Sequence, residues 1–203
     1  MKFRKCLLAF GLPFVLAAHQ AAAQSTIGGD VDISVETGDV SSTIEGDNNV
    51  SDINIGSISE SEVGGDVTID VKTGDITSAI TGDGNTSEIN VGSIKGSEVG
   101  GDVDISVETG DITSTIEGDN NVSDISVGSI TGSTVGGDAT IEVQTGDITS
   151  TIQGDNNTSE ILVGSVKNSE IGGDANITVQ TGDITSAITG DGNTSKVKIG
   201  SID

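Results

Sequence analysis

The sequence repeats every 36 residues, without insertion or deletion, from Gly28 to its last residue. Gly28-Gly29-Asp30 returns at Gly64, Gly100, Gly136 and Gly172, and Thr37-Gly38-Asp39 returns at Thr73, Thr109, Thr145 and Thr181. Asn49 recurs as Asn85, Asn121, Asn157 and Asn193. Self-similarity at a fixed period of this length is the signature of a solenoid or array. Function has to be read from the repetition, because no isolated site interrupts it.

Within one unit, Val31, Ile33 and Val35 alternate with Asp32, Ser34 and Glu36, and Val40, Ser42 and Ile44 alternate with Ser41, Thr43 and Glu45. Period-2 alternation predicts strands with one buried face. Thr37-Gly38-Asp39, Gly46-Asp47-Asn48, Gly56-Ser57 and Gly64-Gly65 supply turn chemistry between them. No helical period follows Gln24, and no proline interrupts a strand. The expected fold is all-β, a β-solenoid of stacked strand–turn–strand rungs. Disorder, which high negative charge and abundant Gly and Ser also suggest, ranks second. Apolar residues that hold their phase in every copy argue against it.

The two halves of the unit resemble each other at an offset of about 18 residues: Val35 matches Ile53, Gly38 matches Gly56 and Val40 matches Ile58. In a 36-residue coil, Asp30 would lie on Asp66 and Asp39 on Asp75. Like charges directly opposite are destabilising. An 18-residue coil sets Asp30 against Asn48 instead, and the Asn49 column then alternates with Val31 and Val67. Electrostatics therefore favours two rungs per repeat and ten in all, about 48 Å long at about 4.8 Å each. Ser42 and Ser51 form inward columns. Asn49, Asn85, Asn121, Asn157 and Asn193 suit either a stacked amide ladder or left-handed turn positions.

The first 23 residues stand apart. Lys2, Arg4 and Lys5 precede an apolar run from Cys6 to Ala18, and Ala21-Ala22-Ala23 is a small-residue cleavage site. This is the layout of a secretory signal peptide, and the run is too short to favour a membrane span. Residues 24–203 are then the mature repeat domain, without a transmembrane segment, secreted to the medium or the cell surface. That domain keeps all 32 acidic residues but only Lys72, Lys95, Lys167, Lys196 and Lys198 as basic ones. Such a surface argues against nucleic acid and anionic membranes as partners.

The composition also bears on chemistry. After residue 23 there is no His, Cys, Tyr, Trp or Arg, which removes most nucleophile–base pairs. Every carboxylate belongs to a repeat, so no acid pair is singled out and an enzyme is not expected. No cofactor is expected beyond weak calcium binding. A secreted calcium-binding repeat protein is the main alternative. Gly28-Gly29-Asp30-Val31-Asp32 resembles the nonapeptide of calcium-loaded β-rolls, but its spacing differs and it implies no defined metal site. An ice-binding face ranks third: the Thr113/Thr115 and Thr149/Thr151 pairs are broken by Ser41, Ala79 and Ala187.

The phase of the two ends carries the functional expectation. Ser25 and Ile27 align with Ser61 and Val63, and Ile202 aligns with Ile58. Asp203 holds the phase just before Gln24, so one copy's end is in register with another's start. Neither end resembles a capping repeat. Ser25, Ile27 and Ile202 are thus the expected self-assembly ends of a homopolymer.

With its signal peptide, tandem strand–turn–strand units, Gly-Asn turns and stretches such as Ser51-Asp52-Ile53-Asn54-Ile55-Gly56, the chain resembles bacterial curlin-type subunits, the secreted functional amyloids of surface fibres. Curlin repeats carry Gln at fixed strand positions, whereas Gln144, Gln153 and Gln180 are sporadic here and Ile and Val fill the apolar positions. The resemblance is one of architecture. It implies a structural subunit of a self-assembling extracellular fibre in a biofilm matrix, with dedicated export and nucleation machinery as further partners.

Overall fold

The computed structural model describes residues 25–203. The expected signal peptide, residues 1–23, lies outside the described residues. Every regular element described is a β-strand. The first coil comprises β1 (Ser25–Ile27), β2 (Val31–Glu36), β3 (Val40–Ile44), β4 (Ser51–Ile55) and β5 (Ile58–Ser59). The same order then recurs from β6 (Ser61–Val63) to β24 (Lys196–Ile199). Equivalent strands of successive coils pair in parallel, which builds five parallel sheets around one axis. The molecule is a β-solenoid.

The coil is 36 residues long, not 18. Val31 pairs with Val67, Ile33 with Ile69 and Val35 with Val71, and each later coil repeats this step. Five coils at about 4.8 Å per strand layer make a rod of about 24 Å, half the expected length. Asn49 therefore stacks on Asn85 rather than alternating with valine. The half-repeat similarity has a different cause. Gly56 lies across the core from β2, where an added Cβ would fall 3.5 Å from Val35 and 3.6 Å from Ile33. The Ser51 hydroxyl likewise donates to Ser42 Oγ at 2.9 Å across the lumen. The two halves are facing walls of one coil, and they share a pattern because they bury into the same core.

The acids stack in the longer coil for a specific reason. The Asp30 carboxylate does not face a bare carboxylate. It accepts the backbone N–H of Asp66 at 3.1 Å, and Asp39 accepts that of Asp75 at 3.0 Å. The same bond recurs up both columns, as from Asp102 N–H to Asp66 and from Asp111 N–H to Asp75. A charge-assisted bond to the amide offsets repulsion along the column.

The main core runs along the axis as columns of Ile and Val. Ile69, Ile105 and Ile141 are fully buried, as are Ile94 and Ile130. Burying one such side chain contributes about 1.5–3 kcal/mol. Ile80, Ile116 and Ile152 form a second, smaller apolar column. The turns fall at the expected glycines. The residue before the Asn column adopts the left-handed conformation in every coil: Asn48 (φ 54°), Gly84 (60°), Asn120 (35°), Asn156 (39°) and Gly192 (68°). Asn and Gly interchange there because both tolerate that region.

Candidate functional site

The side chains that distinguish this solenoid are internal ladders and the two faces on which the ladders end. The five Asn residues occupy one column beside the Gly-Asp turn. Asn85 Nδ2 donates to Asn49 Oδ1 at 2.7 Å, Asn121 to Asn85 at 2.7 Å, Asn157 to Asn121 at 2.7 Å and Asn193 to Asn157 at 2.6 Å. Each amide also bonds a turn carbonyl of its own coil, as Asn121 does with Gly118. The bond to the turn carbonyl and the left-handed residue just before each Asn set the direction of the amide. The left-handed position itself belongs to Asn48 and its equivalents, not to Asn49.

A second ladder is made of hydroxyls. Ser42, Ser51, Ser78, Ser87, Ser114 and Ser123 are joined Oγ to Oγ in one zigzag at 2.9–3.2 Å. It continues through Ser150, Ser159 and Ser186 to Ser195. A buried hydroxyl costs stability unless it is paired, and here each one partners the next. The zigzag crosses the lumen, so it is not legible from either strand alone. The available signal is that both Ser columns are unchanged in all five copies.

The end faces are formed by residues 25–59 and residues 168–203. Among the described residues nothing covers either face. Ile27 is 41% exposed and Ile202 62%, whereas their equivalents Val63 and Ile94 are 1% and 0% exposed. Val197 and Ile199 are exposed at the second face, and Val31, Ile33 and Val35 are only half-buried at the first. Ser25 pairs with Ser61 and is exposed, so the structure places Ser25 and Ile27 on one face and Ile202 on the other. Ile202 bridges Val166 on one side only.

Charge is arranged along the outside. Lys72 Nζ meets Glu108 at 2.7 Å, a residue of the same column one coil on. That bond, with the Glu108 charge, raises the Lys72 pKa. Lys95 pairs with Glu88 of its own coil at 2.5 Å, and Lys167 pairs with Glu160. Burial pushes the Glu88 carboxyl up, but its bonds to Lys95 and Asn90 outweigh burial and leave it below its usual value. Asp124, between those two coils, has Thr131 where its neighbours have lysine. Its Oδ1 is buried without a hydrogen-bond partner. Burial, with Glu160 and Glu88 nearby, outweighs Lys95 and Lys167 and raises its pKa to about 6.

Among the described residues no three carboxylates converge as metal ligands. No described helix is long and apolar enough to cross a membrane. No family model, curated protein or solved structure matches the chain.

Proposed function

We propose that the chain is the structural subunit of a secreted extracellular fibre, in which copies stack end to end and one β-solenoid runs through each joint. The observation that supports this best is the pair of open end faces, whose apolar columns are covered everywhere else in the rod. In the register of the repeat, Ile27 of an incoming copy lies over Ile171, Ile33 over Ile177 and Ile58 over Ile202. Asn49 Nδ2 of that copy meets Asn193 Oδ1, as Asn85 meets Asn49 within the chain. Open strand edges template further pairing, and a head-to-tail contact that does not close gives filaments.

On this reading the carboxylates keep the subunit soluble and set when it assembles. The Asp83 carboxyl is held above its usual pKa by Asp119 and Asp47 in the same turn column. Acid or added salt should therefore promote stacking. The role is architectural rather than catalytic. Export and nucleation machinery like that of curlin-type subunits would complete the system.

Electron microscopy with sedimentation across a concentration series tests the proposal. Unbranched filaments that lengthen with concentration support it. A monomer at every concentration, pH and salt would sink it.

A further inference from the structure

The outward columns reveal how two copies would choose their ends, an inference that rests on the end-to-end reading above. The first face, residues 25–59, carries Asp30, Asp32, Glu36, Asp39, Glu45, Asp47 and Asp52 and no lysine. The second, residues 168–203, carries Glu170, Asp174, Asp183, Asp191 and Asp203, together with Lys196 and Lys198. Two copies of the first face would therefore meet carboxylate to carboxylate. Between opposite faces only the three turn columns set acid over acid.

The repeat register gives each residue's partner across the joint. Asp30, Asp39 and Asp47 would fall in the turn columns over Asp174, Asp183 and Asp191. Two of those columns take the amide bonds already described within the chain. Three other acids of the first face fall on residues without charge. Asp32 falls over Asn176, Glu36 over Gln180 and Glu45 over Thr189. In the other direction, Glu170 falls under Thr26 and Asp203 under Ser59.

Asp52 is the decisive case. Its column runs Asp52, Glu88, Asp124, Glu160, Lys196, four acids and then one cation. Glu160, the register neighbour of Lys196, is already paired with Lys167. Lys196 forms no ion pair among the described residues, and it lies on the open face. Lys72 and Glu108 show what a lysine does with an acid one coil on in the same column: the two meet at 2.7 Å.

We propose that Lys196 of one copy pairs with Asp52 of the next, and that this pair, with the acid-over-neutral match around it, fixes the polarity and register of the joint. The partner is a second copy of this chain, presented by its opposite face. Head-to-head joints are refused by charge and slipped joints by loss of the pair.

Charge exchange at low ionic strength tests the pairing, with filament growth followed by light scattering and microscopy. Lys196→Glu alone and Asp52→Lys alone each set like charges across the joint, and each should slow growth by about tenfold or more. An equimolar mixture of the two variants should recover growth. In that mixture the two altered faces meet as lysine against glutamate, with the charges exchanged, and the two unaltered faces meet as Lys196 against Asp52. A variant that had simply failed to fold would not be rescued by mixing. If Lys196→Glu grows as fast as the unaltered protein, or if the mixture grows no faster than either variant alone, this pairing is wrong while end-to-end stacking stands. If the unaltered protein forms no filaments, the end-to-end reading falls and the pairing with it.

Discussion

Asn85 donates its side-chain amide to Asn49 Oδ1 at 2.7 Å, across 36 residues of sequence and one layer of the rod. The bond is buried, and it repeats to Asn193. It ties each coil to the next by a contact independent of the backbone ladder.

Asn121, at the middle of that ladder, should be among the least replaceable residues. Asn121→Ala leaves Asn85 Oδ1 and the Gly118 carbonyl without the Asn121 amide, and takes from the Asn157 amide its Asn121 acceptor while leaving its own turn carbonyl in place. Each unpaired buried group costs about 1–3 kcal/mol, so a loss of roughly 2–4 kcal/mol is expected. Urea unfolding measures it. Thr113→Ala, on the outward face of a neighbouring strand, should stay within about 0.5 kcal/mol.

Two left-handed glycines, Gly128 and Gly132, should respond differently. Gly128 (φ 53°) faces the core, where a Cβ would lie 2.4 Å from Val143 Cγ2. Gly132 (φ 60°) has open space around it, and its column holds Glu60 and Asn168 in other coils. Gly132→Ala should cost about 1–2 kcal/mol, the strain of the conformation alone. Gly128→Ala should cost more, because the core must also shift. Equal losses in thermal unfolding would contradict the packing account.

Much of this architecture is legible in the sequence, and the exceptions are informative. Alternation places Ile33 and Val35 inward, and the Gly-rich turns fall where composition sets them. Coil length is harder to read, because facing walls of one coil share a pattern just as stacked rungs do. The strand register, with Val31 on Val67, and the lumen bond of Ser51 with Ser42 separate the two cases. The Asp columns mislead as well, since sequence shows the carboxylate but not the amide that it binds. The column that carries Asp52 at one end and Lys196 at the other becomes visible only once the 36-residue register is known.

Asp124 should make stability depend on pH. Its folded-state pKa, about 6, lies above its ordinary value of 3.8. The folded state therefore binds the proton more tightly, and stability falls as pH rises from about 4 to 6. The full penalty, on the order of 2–3 kcal/mol, is present above that window. Asp124→Asn should stabilise the protein at neutral pH and flatten this part of the profile. An unchanged profile would show that the carboxylate is solvated.

Ile202→Pro should block growth without unfolding the subunit. In each earlier coil the equivalent N–H donates to the next coil: Ile58 to Ser93, Ile94 to Ser129, Ile130 to Ser165 and Val166 to Ser201. The N–H of Ile202 would donate only to Ser57 of an incoming copy, and proline removes it. Unchanged elongation at that face would place the joint elsewhere.

The axial subunit repeat of the filament, measured by cryo-electron microscopy, tests the central claim most directly. Five coils at about 4.8 Å predict a repeat of about 24 Å, with the strand ladder unbroken through the joint. Deleting one coil, Gly100 to Val135, should shorten the repeat to about 19 Å and preserve growth. A subunit repeat unrelated to the coil number, or a break in the ladder at each joint, would contradict end-to-end continuation of the solenoid.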